Sequence, residues 1–144
     1  MRQIVELTVK AAPDDAFNAF RDLENYLKWL SFIDSVETVD IGNEDMSWIV
    51  VLRSQLGPFA RMKKLRMVKN SEIPSSSVSF SRVELDGKEH SSWDLEVICH
   101  SANEDSTEVK LTVSYSGKFW SRALEAVFNS QVEDAKIRLK QYFE

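Results

Sequence analysis

The chain has 144 residues, 43% of them hydrophobic and 28% charged, the profile of one soluble domain with its own core. A net charge of −5 gives no overall basic footprint for nucleic acid, and no apolar run approaches the roughly 20 residues that span a bilayer. Cys99 is the only cysteine, which excludes an intrachain disulfide. The opening "MRQIVELTVK" alternates like a strand and lacks the apolar segment of a signal peptide, so the expected compartment is the cytoplasm.

The first strand is "QIVELTV", with Val5, Leu7 and Val9 on one face and Glu6, Thr8 and Lys10 on the other. Pro13 then suits the first turn of a helix, and Asp14 and Asp15 favour its positive end. Ala16, Phe17, Phe20 and Leu23 keep helical spacing. The pattern slips after them, and Tyr26, Leu27, Trp29 and Leu30 form a second short helix or a bent continuation.

From Ser35 the period becomes two. Strands are expected at Val36–Ile41, Met46–Ser54, Phe59–Lys69, Ser77–Leu85, His90–Ser101 and Glu108–Ser116, with turns at Gly42-Asn43, Gly57-Pro58 and Asp86-Gly87. Trp93, Leu95, Val97 and Cys99 share a face, as do Val109, Leu111, Val113 and Tyr115. Alternation this clean describes a sheet with one buried face. In "WIVVL", Trp48, Val50 and Leu52 point inward. Ile49 and Val51 then point outward, as an ordinary exposed pair or as a surface covered by a partner subunit.

The last helix runs from about Lys118 to Tyr142 and is roughly 37 Å long at 1.5 Å per residue. Arg122, Glu125, Asn129, Glu133, Lys136 and Lys140 fall on one narrow polar stripe. The wide remaining arc holds Leu124, Val127, Ala135 and Leu139, but also Gln131, Asp134 and Arg138. The order is strand, two short helices, six antiparallel strands, one long helix. A helix laid across a curved sheet leaves a cavity where the sheet's edges curl away.

"VELTVKAAPDDAFNAFRDLENYLKWLSFIDSVETV" and "FWSRALEAVFNSQVEDAKIRLKQYF" carry a resemblance that covers the whole chain in element order. The sequence resembles the Bet v 1-like helix-grip superfamily, also called START or SRPBCC, and within it the bacterial polyketide cyclase/dehydrase and Coq10-like branch. The resemblance implies an α+β helix-grip fold over residues 1–144. It also implies a cavity for a lipid, quinone, isoprenoid or polyketide-like molecule, with no cofactor. Some members of the family are cyclases or dehydratases; others carry a ligand or bind a protein partner.

The candidate lining of that cavity is Trp48, Trp93, Leu95, Leu111, Val113 and Tyr115 from the sheet, with Leu124, Val127, Gln131, Asp134 and Arg138 from the helix. Apolar walls with a few placed polar groups are the general design of such pockets. Asp134 and Arg138, spaced i,i+4, can pair along the helix; the alternative is that they reach water while their stems cover apolar surface. His90 and His100 read as surface residues without metal-binding spacing, so no metal site is expected. Cys99 reads as a core thiol. Arg61, Lys63, Lys64, Arg66 and Lys69 crowd one strand without interleaved aromatics, which argues against nucleic-acid stacking. Some of them must share the inward parity, where their charges line a cavity mouth. No phosphate loop, nucleophile elbow or catalytic triad occurs, so the available acid–base groups are Tyr26, Glu84, Tyr115 and Asp134. Three function classes follow: a binding or transport module for a hydrophobic small molecule, a cyclase/dehydrase-type enzyme, and an interaction module with a protein partner or second copy.

Overall fold

The computed structural model describes residues 1–39, 46–56, 59–117 and 122–144, without the side chains of 54–56, 59, 122–125 and 127. Strand β1 (Arg2–Val9) buries Val5, Leu7 and Val9 and exposes the alternate positions. Helix α1 (Pro13–Phe20) starts on its proline, carries Asp14 and Asp15 in the first turn, and buries Ala16, Phe17, Ala19 and Phe20. A 3-10 helix (Leu23–Lys28) follows, capped by the Asp22 carboxylate, which accepts from Glu24 N at 3.0 Å. That cap explains the slip in the helical pattern: Asp22 ends one helix and starts another.

The remaining strands are β2 (Ile33–Val39), β3 (Ser47–Leu56), β4 (Phe59–Ile73), β5 (Ser77–Arg82), β6 (Trp93–Asn103) and β7 (Ser106–Tyr115), and helix α2 (Arg122–Tyr142) closes the chain. The seven strands form one sheet in the order β1-β7-β6-β5-β4-β3-β2, with every neighbouring pair antiparallel. The two short helices carry the chain from one edge of the sheet to the other. Register shifts at Ile33/Ser35, Lys69/Ser71 and Ser101/Asn103 bend and twist the sheet. This is the α+β helix-grip fold.

The expected start of α2 at Lys118, with Phe119 and Trp120, lies outside the described residues, as do the turns at Gly42-Asn43 and Gly57-Pro58. Several strand boundaries differ by three or four residues: β2 begins at Ile33 rather than Val36, β4 runs on to Ile73 rather than Lys69, and β5 ends at Arg82 rather than Leu85. The sequence pattern begins a strand at His90, whereas β6 begins at Trp93. The Asp86 carboxylate contacts His90 Nε2 at 2.8 Å, and Arg82 donates to Ser91 O at 3.1 Å. These side-chain bonds fix 86–91 as a loop, and Gly87 turns it with φ +71°, a conformation that glycine adopts without strain.

The concave face is filled unevenly. At one end Phe20, Tyr26, Trp29, Trp48, Phe80 and Phe143 pack ring against ring, with centroids 5.3–6.3 Å apart. The Tyr26 hydroxyl donates to Phe20 O at 2.8 Å, tying the 3-10 helix to α1. Helix α2 presses Phe128, Ala135 and Leu139 into the concavity, with Val132 and Phe143 half-buried beside them. Among the described residues, these form a stripe narrower than the arc read from the sequence.

Candidate functional site

The described residues do not fill the other end of the concave face. A cavity of about 70 Å³ opens there between the sheet and the segment after the 3-10 helix. Leu23, Leu30 and Phe32 wall one side; Ile33, Val36, Val50, Leu52, Leu65, Met67, Trp93, Leu95 and Val113 wall the rest. Asp94 also borders it, between Trp93 and Leu95, but the surface that the described residues expose to the cavity is apolar. A water needs about 10–15 Å³ of such space, so the cavity has room for no more than a short apolar segment.

Of the residues expected to line it, Trp93, Leu95 and Val113 stand in the wall. Leu111 is buried core beneath it. Tyr115 stacks on Trp93 with centroids 4.5 Å apart, one step outside the wall. Trp48 is fully buried in the aromatic cluster instead, against Phe80 at 5.4 Å. The side chains of Leu124 and Val127 lie outside the described residues.

The polar trio on α2 is not among the residues of the wall. Gln131 is half-buried, whereas Asp134 and Arg138 are exposed, and no ion pair joins them among the described residues. With about 100° per residue, Asp134 falls roughly 120° round the helix from the centre of the stripe formed by Phe128, Ala135 and Leu139, and Arg138 roughly 80°. A narrow contact stripe leaves both with water. The Leu30, Phe32 and Ile33 wall escaped the sequence reading because these residues sit in irregular chain between a 3-10 helix and a strand, where no period marks a face.

The basic strand divides as its parity requires. Leu65 and Met67 are buried, so Lys64 and Arg66 turn outward, opposite Val51 and Ile49, while Lys63 and Lys69 turn inward. Lys69 sits 5.8 Å over the Trp48 ring and pairs with Glu72 at 2.9 Å. Those contacts hold the Glu72 carboxyl below its ordinary range, the hydrogen bond from Lys69 being the largest cause. Arg82 points inward on β5, in register with Met67, with its side chain only 6% exposed and paired to Glu84 at 2.9 Å.

Two of the acid–base candidates, Tyr26 and Glu84, are engaged by other groups. Burial raises the Tyr26 hydroxyl well above the ordinary tyrosine value, and its proton is given to Phe20. Burial alone would raise Glu84, but hydrogen bonds from Arg66 N and Arg82 outweigh it and hold the carboxyl down. Cys99 is buried in the core, and burial pushes its thiol up to about 11. His90 and His100 bring no group of metal-binding side chains together among the described residues. No described helix is long and apolar enough to cross a membrane.

Solved structures share this architecture. The Zhui aromatase/cyclase from Streptomyces sp. R1128 superposes with a TM-score of 0.70 at 13% identity, over 99% of this chain and 93% of that one. A START superfamily protein from Mycobacterium smegmatis gives 0.71 at 12% identity, over 98% of each chain. A Deinococcus radiodurans protein, DR_A0006, gives 0.69 at 16% identity, over 98% of this chain and 95% of that one. At such identities the likeness is one of fold alone, the helix-grip fold. The family model for polyketide cyclase/dehydrase and lipid transport matches residues 3–144, and the chain belongs to that family. No curated protein matches the sequence.

Proposed function

We propose that this protein binds a small hydrophobic molecule in the cavity between the sheet and the segment after the 3-10 helix, and carries or presents it. The observation that supports this most is the apolar surface that the described residues, Asp94 among them, turn to the cavity, beside an aromatic cluster at the other end of the concave face. Burying an apolar ligand there gains about 25 cal/mol per Å² of surface removed from water. A catalytic reading in the manner of a cyclase or dehydratase has less support. It needs a free acid or base at the ligand, and Tyr26 and Glu84 are held by Phe20 and Arg82 respectively.

Two measurements test the reading. Native mass spectrometry of protein purified from its own host should show a co-purified hydrophobic compound. A fluorescent apolar probe should bind, and Val113→Trp, which fills the cavity, should weaken that binding about tenfold, the loss of roughly 1.4 kcal/mol of apolar burial. Probe binding that survives this substitution in a folded variant would place the ligand elsewhere.

A further inference from the structure

Lys63, Lys69 and Arg82 all point into the concave face, and they differ in one respect. Lys69 meets Glu72, and Arg82 meets Glu84, each at 2.9 Å. Lys63 meets no carboxylate among the described residues. Its ammonium donates to Ser91 Oγ at 3.3 Å and lies 5.6 Å over the Tyr115 ring. Two strands separate β4 from β7, which is about 14 Å across a flat sheet. The Lys63–Tyr115 contact therefore marks where the sheet curls and its strands approach across the concavity.

That point adjoins the wall of the apolar cavity. Leu52, the cross-strand partner of Lys63, is a wall residue. So is Trp93, which stacks on Tyr115. Ser91 is held in place from behind, because Arg82 Nη1 donates to both its carbonyl, at 3.1 Å, and its hydroxyl, at 3.4 Å. A serine hydroxyl has two acceptor lone pairs and one donor hydrogen. Lys63 and Arg82 take the lone pairs, which leaves the hydrogen free to donate.

We infer that Lys63 and Ser91 form a head-group subsite beside the cavity wall, and that the ligand is an amphiphile with an apolar tail and a singly charged carboxylate head. The inference rests on the binding function proposed above and specifies the ligand class. The tail enters the cavity; the carboxylate accepts from the Lys63 ammonium and the Ser91 hydroxyl. Partial burial and the Arg82 cation lower the Lys63 ammonium from the ordinary lysine range, a repulsion that a bound anion relieves. The small cavity volume agrees, since a longer ligand must keep its polar end outside the apolar space.

Calorimetric titration with decanoate and decanol, a pair that shares its tail and differs in its head, tests this. Hydrogen bonds to charged groups contribute about 1.5–3 kcal/mol, so decanoate should bind about tenfold tighter or more at low salt. Lys63→Met should abolish the preference by weakening decanoate alone, Lys63→Arg should keep it, and Ser91→Ala should reduce it a few-fold. Lys63→Gln is a second uncharged variant should the methionine fail to fold. Equal affinities in the unaltered protein, or a preference that survives both uncharged variants, would overturn the subsite and leave the apolar pocket standing. Tighter binding of decyl phosphate than of decanoate would overturn the carboxylate head. Binding of neither decanoate nor decanol would overturn the subsite and the pocket together.

Discussion

Tyr26→Phe separates a structural tyrosine from a catalytic one. The ring is fully buried and packed against Phe20, Trp29 and Phe80, with centroids 5.3–6.3 Å away. Phenylalanine keeps every ring contact and loses only the hydroxyl. That hydroxyl donates to Phe20 O at 2.8 Å, and Phe20 is the last residue of α1, where the helix itself supplies no partner for the carbonyl. The variant therefore loses a hydrogen bond with a net value of about 0.5–1.5 kcal/mol and leaves a buried acceptor unpaired, at about 1–3 kcal/mol. Removing the need to desolvate the hydroxyl offsets part of this, so the expected loss is about 1–2 kcal/mol. For a chain of this size that is a fall in Tm of roughly 3–8 °C. Urea unfolding followed by tryptophan fluorescence should show a lower midpoint with an unchanged slope, and apolar-probe binding should be unchanged. A loss below about 0.5 kcal/mol, or lost binding at full stability, would refute the assignment.

Three further outcomes are expected. A methyl group on Gly117 would lie 1.6 Å from the Tyr115 hydroxyl oxygen, so Gly117→Ala must swing Tyr115 off Trp93; overpacking of this kind costs about 1–3 kcal/mol, and thermal melting with probe titration should show reduced stability and altered binding together. Asp134 and Arg138 are exposed, so Asp134→Ala and Arg138→Ala should each cost under about 1 kcal/mol and add in the double variant; a coupling above that in a double-mutant cycle would restore a shielded pair. Cys99, raised by burial to about 11, should resist a thiol reagent at pH 8 until the protein is unfolded. Because its folded value lies above the unfolded one, its contribution to stability is complete below about pH 8.5 and is lost as pH rises towards 11.

The sequence by itself determined the element order and the inward faces of the strands. Period two is a local property, so Trp93, Leu95, Val109 and Leu111 announce their face wherever the strand lies. Pro13 with Asp14 and Asp15, and Gly87 in its turn, are equally local. The helix was less legible, because the width of its buried stripe depends on what it packs against. Only the tertiary structure decided that Phe128, Ala135 and Leu139 make the contact while Asp134 and Arg138 face water. Which end of the concavity is filled was likewise decided by tertiary packing: Trp48 and Phe80 meet Phe20, Tyr26 and Trp29 through chain that is distant in sequence. Lys63 is the clearest case. Parity turns Lys63 inward, but its contact with Ser91 and Tyr115 exists because the sheet curls, and curvature arises from the twist of all seven strands, which no single strand encodes.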